Sequence, residues 1–207
     1  MRRVAESFTW PFKASWVTWT FGSLLVVLWP VLFIPLLGYA VEATRAGTAQ
    51  PPALRMSRRL LRDGFWVAAI LALSLLPFAL LLNPLAALLN AASPNSLVAF
   101  AAAFFVLLLP WGLLALLMLP HATARFASTG RPRDLFDVAG ALRAVARDFG
   151  TWNAVVAAMV TAWAIALACA GLLCVGIVPG IFYAILVSAH AAASLRAEEP
   201  GQGPSAR

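Results

Sequence analysis

GFWVAAILALSLLPFALLLNPLAALLNAASPNSLVAFAAAFFVLLLPWGLLALLMLPHATA, running from Gly64 to Ala124, contains no Asp, Glu, Lys or Arg. It holds two apolar runs, Phe65–Leu82 and Leu97–Leu119, separated by an Asn/Ser/Pro patch. Each approaches the roughly 20 residues that a helix rising about 1.5 Å per residue needs to cross about 30 Å of hydrocarbon. The stretch therefore reads as a transmembrane helical hairpin. The rest of the chain is arranged around it, with Ala14–Val41 before, Thr151–Leu195 after, and an Arg-rich connector on each side.

Of the 207 residues, 62% are hydrophobic and 11% charged, and the mean hydropathy is +0.88. Soluble domains run near roughly 45–50% apolar and 25% charged. A soluble fold of this length has no interior large enough for so much apolar surface, so the expected class is all-α: a polytopic transmembrane helical bundle forming one membrane domain over residues 1–196. The net charge of +7 comes almost wholly from arginine. In a soluble protein it would point to nucleic acid. Beside a membrane, anionic lipid headgroups are the nearer partner, at about 1 kcal/mol per basic residue close to the surface, and no nucleic acid is expected. Cys169 and Cys174 have neither CxxC nor metal-ligand spacing and read as small buried residues, so no metal or cofactor is implied.

The twin arginine Arg2-Arg3 lacks the rest of an export motif, and no Ala-x-Ala-like site closes the apolar run that follows. The first segment is expected to stay in the mature protein. Phe8, Trp10, Pro11 and Phe12 precede it as an interfacial lead-in, because aromatic rings with a polar edge settle at headgroup level. Ala14–Val41 is uncharged, yet Trp29-Pro30 and Ile34-Pro35 interrupt it, and proline removes a backbone donor and kinks a helix. Two readings stay open: one kinked, tilted helix, or a bent, re-entrant hairpin turning near Trp29-Pro30. The second keeps Arg2, Arg3 and Lys13 on the side of the other cations, as the excess of basic residues in cytoplasmic loops requires. A weak internal echo points the same way. Ile34-Pro35-Leu36-Leu37-Gly38-Tyr39-Ala40 resembles Val178-Pro179-Gly180-Ile181-Phe182-Tyr183-Ala184.

The connector Glu42–Asp63 contains Arg45, Arg55, Arg58, Arg59 and Arg62, and Pro120–Asp148 contains Arg125, Arg131, Arg133, Arg143 and Arg147. Both should be cytoplasmic, and the uncharged Asn83–Ser96 should face out. Each basic connector is expected to carry an interfacial amphipathic helix. The first starts at Pro52, with Arg55, Arg58, Arg59 and Arg62 on one face. The second is capped by Asp134, with Leu135, Val138, Leu142, Val145 and Phe149 at helical spacing and Arg143 and Arg147 late in the run. These six arginines, Arg55, Arg58, Arg59, Arg62, Arg143 and Arg147, are the candidate headgroup contacts. Thr151–Leu195 suffices for two crossings, 151–172 and 175–195, reversed by Gly171, Gly176, Pro179 and Gly180. Gly176-x-x-x-Gly180 or Ala189-x-x-x-Ala193 would let the helices approach closely. The total is five or six membrane segments, followed by a disordered cytoplasmic tail at 197–207.

Chemistry inside a membrane needs ionisable groups that face one another. Glu42, His121 and His190 are the candidates, all at the cytoplasmic ends of their segments, and an embedded enzyme would use the two histidines. There is no HExxH, GxSxG, phosphate-binding glycine loop or suitably spaced carboxylate pair. Ser74, Asn83, Asn90, Asn153, Thr161 and Ser188 are polar side chains near the spans, expected to bond helix to helix. The expected role is a non-enzymatic component of the cytoplasmic membrane that binds lipid headgroups, other membrane proteins or a second copy of itself. The alternative is a small transporter or a permease-like subunit of one.

Phe8-Thr9-Trp10-Pro11-Phe12-Lys13, Gly38-Tyr39, a Pro-started connector ending Asp63-Gly64-Phe65, Ala124-Arg125-Phe126-Ala127-Ser128-Thr129-Gly130 and Phe136-Asp137 occur in that order. In this order the chain resembles a family of uncharacterised bacterial and archaeal multi-pass membrane proteins of about this length, known as a domain of unknown function. The resemblance implies an integral membrane bundle and supplies no catalytic residues. The chain departs from the family in the first connector, which is Arg-rich where the family tends to be acidic.

Overall fold

A computed structural model describes residues 2–47, 50–92, 95–171 and 176–195. In chain order it contains α1 (Arg2–Glu6), a 3-10 turn at Trp10–Lys13, α2 (Trp16–Val27), α3 (Trp29–Ala46), α4 (Arg58–Ala92) and α5 (Ser96–Thr129). A second 3-10 turn at Pro132–Phe136 follows, then α6 (Val138–Arg147), α7 (Phe149–Ala170) and α8 (Ile177–Ser194). No strand occurs among the described residues. Four helices, α4, α5, α7 and α8, are long and apolar enough to cross a membrane. The tail 197–207, Arg196 and Cys174 lie outside the described residues.

The first segment is two helices, not one. The helix breaks at Leu28 (φ −90°, ψ 20°) and departs from helical geometry again at Leu32 (φ −106°, ψ 21°), on either side of Trp29-Pro30. A continuous helix would set Gly22 and Tyr39 about 25 Å apart. Instead both meet one ring, Phe182 of α8: Gly22 lies directly against it, Tyr39 stacks on it at 5.9 Å, and Trp19 meets it edge-on at 5.4 Å. The chain therefore folds back at Leu28, and the bent hairpin is the conformation adopted. The echo between the two Pro-Tyr-Ala stretches also has a structural counterpart. Tyr39 donates its hydroxyl to the Pro52 carbonyl and Tyr183 donates to that of Phe8, each at 3.0 Å.

Two expectations need correction, and one connector is more regular than its length suggests. The first connector is not helical from Pro52. Tyr39 holds the Pro52 carbonyl, and Ser57 supplies the cap by accepting the Leu60 N–H at 3.1 Å, so the helix opens at Arg58. Arg58, Arg59 and Arg62 thus occupy the first turns of α4 itself, with Arg55 just ahead of them, and no separate amphipathic helix carries this stripe. The uncharged connector Asn83–Ser96 is mostly helix. α4 runs through Pro77 and Pro84 to Ala92, sustained by Leu and Ala around the prolines, and Asn95 caps α5 by accepting the Val98 N–H at 3.3 Å. In the second connector, Asp137 rather than Asp134 caps the helix, taking the Gly140 N–H at 2.7 Å, while Asp134 is bonded by the Thr129 hydroxyl.

The N-terminal aromatics also depart from the expected surface position. Trp10 is 2% exposed and sits in the main core cluster with Leu25, Leu36, Tyr39, Leu60, Phe182 and Leu186. Only Phe12 and Trp16 of this group stay exposed. A second cluster, built on Val41, Val67, Ile70, Phe126 and Leu135, joins α3 to the α4–α5 hairpin. A third ties α1 to α5, α7 and α8 through Val4, Ala124, Val155 and Leu195. α1, the end of α3, the start of α4, the end of α5, α6, the start of α7 and the end of α8 consequently share one end of the bundle.

Close approach is set by glycine. A Cβ at Gly38 would collide with the Leu60 carbonyl oxygen, and one at Gly64 with that of Ile34, so α3 and α4 cross backbone against backbone. The α7–α8 pair uses the expected Gly176-x-x-x-Gly180: a Cβ there would meet Cys169 O at 2.7 Å and Ala166 Cα at 3.1 Å. The part of the α4–α5 hairpin far from this end is exposed along Leu73, Leu76, Leu80, Leu88, Leu97 and Phe105, an apolar surface of the kind a bilayer covers. Within it, the Trp111 indole donates to the Ser74 carbonyl at 2.7 Å and so ties α5 to α4.

Candidate functional site

The shared end of the bundle concentrates the charge. Asp63, 1% exposed, receives a 2.7 Å hydrogen bond from Arg45 Nη2, and the same guanidinium donates from Nε to the Ala127 carbonyl at 2.9 Å. One side chain therefore joins the end of α3, the start of α4 and the end of α5. Arg62 and Arg59 stand 3.3 and 3.9 Å from the same carboxylate but are 59% and 62% exposed, so water weakens both pairs. A second pair, Arg125 with Asp137, fastens α5 to α6 across the turn that Gly130 allows at φ 68°. The Gly140 N–H holds the Asp137 carboxyl below the usual carboxylate range, and Arg125 and Arg143 pull in the same direction against partial burial.

Arg55, Arg58, Arg59, Arg62, Arg143 and Arg147 all have exposed side chains at this end. On α6, Ala141 and Val145 face the protein while Val138 and Leu142 are exposed beside Arg143. Glu42, His121 and His190 lie on α3, α5 and α8 respectively. His190 Nδ1 lies 2.8 Å from the Ser7 hydroxyl, and its ring packs on Trp10 at 4.7 Å, so its polar and aromatic contacts come from the N-terminal segment. His121 is buried in α5, and Glu42 is half-buried on α3. Among the described residues no three His, Cys, Asp or Glu side chains could hold a metal ion.

A different feature lies deeper. α5 and α7 diverge beyond their shared contact near Ala124, and a crevice of about 400 Å³ opens between them, lined by Leu116, Leu119, Thr123, Val160, Trp163 and Ser188. A neighbouring pocket of about 190 Å³ has Ala40, Thr44, Val67 and Ile185 among its walls. Leu119, Thr123, Met159, Trp163 and Ser188 line both. Thr123 donates its hydroxyl to the Leu119 carbonyl at 2.6 Å, whereas the buried Ser188 Oγ makes no hydrogen bond. Sequence reading placed Ser188 near a span but could not pair it with Thr123, which lies on another helix 65 positions away.

Four apolar helices whose outer surfaces expose leucine and phenylalanine define the class: this is a helical membrane protein. The family described as a protein of unknown function, DUF4013, matches residues 21–187, and the chain belongs to it. The match takes in Gly38-Tyr39, Asp63-Gly64, Ala124–Gly130 and Phe136-Asp137, and leaves the N-terminal aromatic lead-in outside it. No curated protein and no solved structure matches the chain.

Proposed function

We propose that the protein is a non-enzymatic component of the cytoplasmic membrane that gathers anionic lipid headgroups at its arginine-bearing end. The observation that carries this is the exposure of all six candidate arginines at one end of an apolar bundle, beside the outward apolar face of α6. A guanidinium presents a fixed fork of donors matched to phosphate oxygens, and α6 can lie along the acyl boundary with Val138 and Leu142 immersed. In this reading that end, with both connectors and both termini, faces the cytoplasm, where basic residues accumulate. α2, 12 residues long, spans only about 18 Å, so α2 and α3 form a re-entrant pair beside four full crossings. The crevice walls carry few polar groups, which favours this role over a small transporter with a water-filled path. His190 is held by Ser7 and Trp10, which favours it over an embedded enzyme.

The test is reconstitution into vesicles of mixed anionic and zwitterionic phospholipid, followed by mass spectrometry of the lipids retained on the purified protein. A several-fold anionic enrichment over bulk is expected, lost when Arg55, Arg58, Arg143 and Arg147 are all changed to Gln. Retained lipid of bulk composition on the wild-type protein refutes the proposal.

A further inference from the structure

We infer that α4 carries a self-association seam: Leu73, Leu76, Leu80, Asn83, Ala87 and Asn90 pack against the same residues of a second copy, with the two asparagines hydrogen-bonded across the contact. The six positions advance in alternating steps of three and four, the spacing of a coiled-coil stripe. All six are exposed. They point away from α5, which α4 meets on its other side through the Ser74 carbonyl and the Phe78 ring, in contact with Trp111 and Phe104.

Polarity and length decide what covers this strip. Among the described residues no hydrogen bond engages the side chain of Asn83 or Asn90, and an amide on a lipid-facing surface is costly unless another helix supplies its partners. From Gly64 to Ala92 α4 carries no charge, which makes about 42 Å of helix against roughly 30 Å of hydrocarbon. Counted from the arginine-bearing end, acyl chains reach the level of Asn83 and leave Ala87 and Asn90 beyond them. Lipid alone therefore does not cover the strip. A second α4, related by a two-fold axis along the bilayer normal, covers all of it. Parallel copies bring each residue to its own counterpart, leucine to leucine and amide to amide. An asparagine amide both donates and accepts, so it is its own complement, and such a pair also fixes the register. Ala87 lets the backbones approach between the two amides, and no charge from Gly64 to Ala124 opposes the contact.

The experiment places the purified full chain, lacking Cys169 and Cys174 and labelled on a single cysteine at Ser128, in vesicles of zwitterionic phospholipid. Self-association is followed by energy transfer between copies as the protein is diluted with lipid. Dimers are expected, and Asn83→Leu combined with Asn90→Leu should weaken association about tenfold. Both changes replace an exposed amide by the residue that dominates the surrounding surface, so the fold is kept. In unlabelled protein, Leu76→Cys, Leu80→Cys and Ala87→Cys should each form disulfide-linked dimers several-fold faster than Leu75→Cys, Leu81→Cys and Leu88→Cys, which are also exposed but lie off the strip. Protein that stays monomeric at every dilution, association unchanged in the double asparagine variant, or cross-linking that ignores the three-and-four pattern would overturn the inference. Anionic lipid plays no part in this assay, so its result is independent of the headgroup reading.

Discussion

Asp63 shows how much can rest on one side chain in this bundle. A carboxylate excluded from water is tolerable only because Arg45 meets it and carries on to the Ala127 carbonyl, closing three helix ends with one guanidinium. Removing either partner leaves the other with only its weaker contacts, so Asp63→Ala and Arg45→Ala are each expected to destabilise the protein by about 3 kcal/mol, the low end for a buried pair because Arg45 keeps some solvent contact and Arg62 stays near Asp63. The double variant should lose clearly less than the sum. Detergent-denaturation midpoints of the four proteins check this, and strictly additive losses would show that the two side chains act independently. Both residues were visible in the sequence, Arg45 as one more basic connector residue and Asp63 as part of an Asp-Gly signature. Their pairing was not, because 18 residues separate them along the chain and only the crossing of α3 and α4 brings them together. His190 is likewise met by residues far away in the chain, Ser7 and Trp10, since α1 and the turn after it run back along α8.

At the scale of elements, glycine positions decide which helices touch. Gly38 and Gly64 sit where two backbones meet, and a methyl group at either has nowhere to go because the obstacle is a carbonyl oxygen rather than a movable side chain. Gly38→Ala and Gly64→Ala should each cost about 1–3 kcal/mol and, by shifting α3 against α4, disturb the Arg45–Asp63 contact. Gly112 on α5 has open space around its α-carbon. Gly112→Ala should therefore be neutral or stabilise by up to about 1 kcal/mol through helix propensity. The same denaturation series measures all three, and a loss at Gly112 equal to that at Gly64 would contradict the packing described. Helix ends were harder to read than helices. Asp134 and Asp137 are both plausible caps by residue type, and the choice fell to Asp137 because Thr129 engages Asp134 and Arg125 engages Asp137.

For the whole molecule, the fold-back at Leu28 fixes the orientation of everything before it. Single cysteines at Ala5, Met56, Ser128 and Ala146, in a background without Cys169 and Cys174, should label from one side of sealed vesicles and a cysteine at Asn95 from the other. All five positions are exposed, unlike Ser7, which is buried against His190. Labelling of Ala5 from the side of Asn95 would mean that α2 and α3 cross the bilayer as one segment.

The four long apolar helices, the cationic connectors and the tight α7–α8 pairing were legible because each depends on local composition: apolar length, clustered arginine, glycine at a spacing of four. These are properties that a segment carries wherever it is placed. The fold-back of the first segment, the burial of Trp10, the Arg45–Asp63–Ala127 junction and the Thr123–Ser188 crevice came only with the tertiary structure. Each is a relation between stretches far apart in the chain, and hydropathy does not record which helix lies beside which. In a bilayer the lipid is as apolar as the leucines, so helix neighbours are chosen by shape and by a few polar contacts rather than by burial alone.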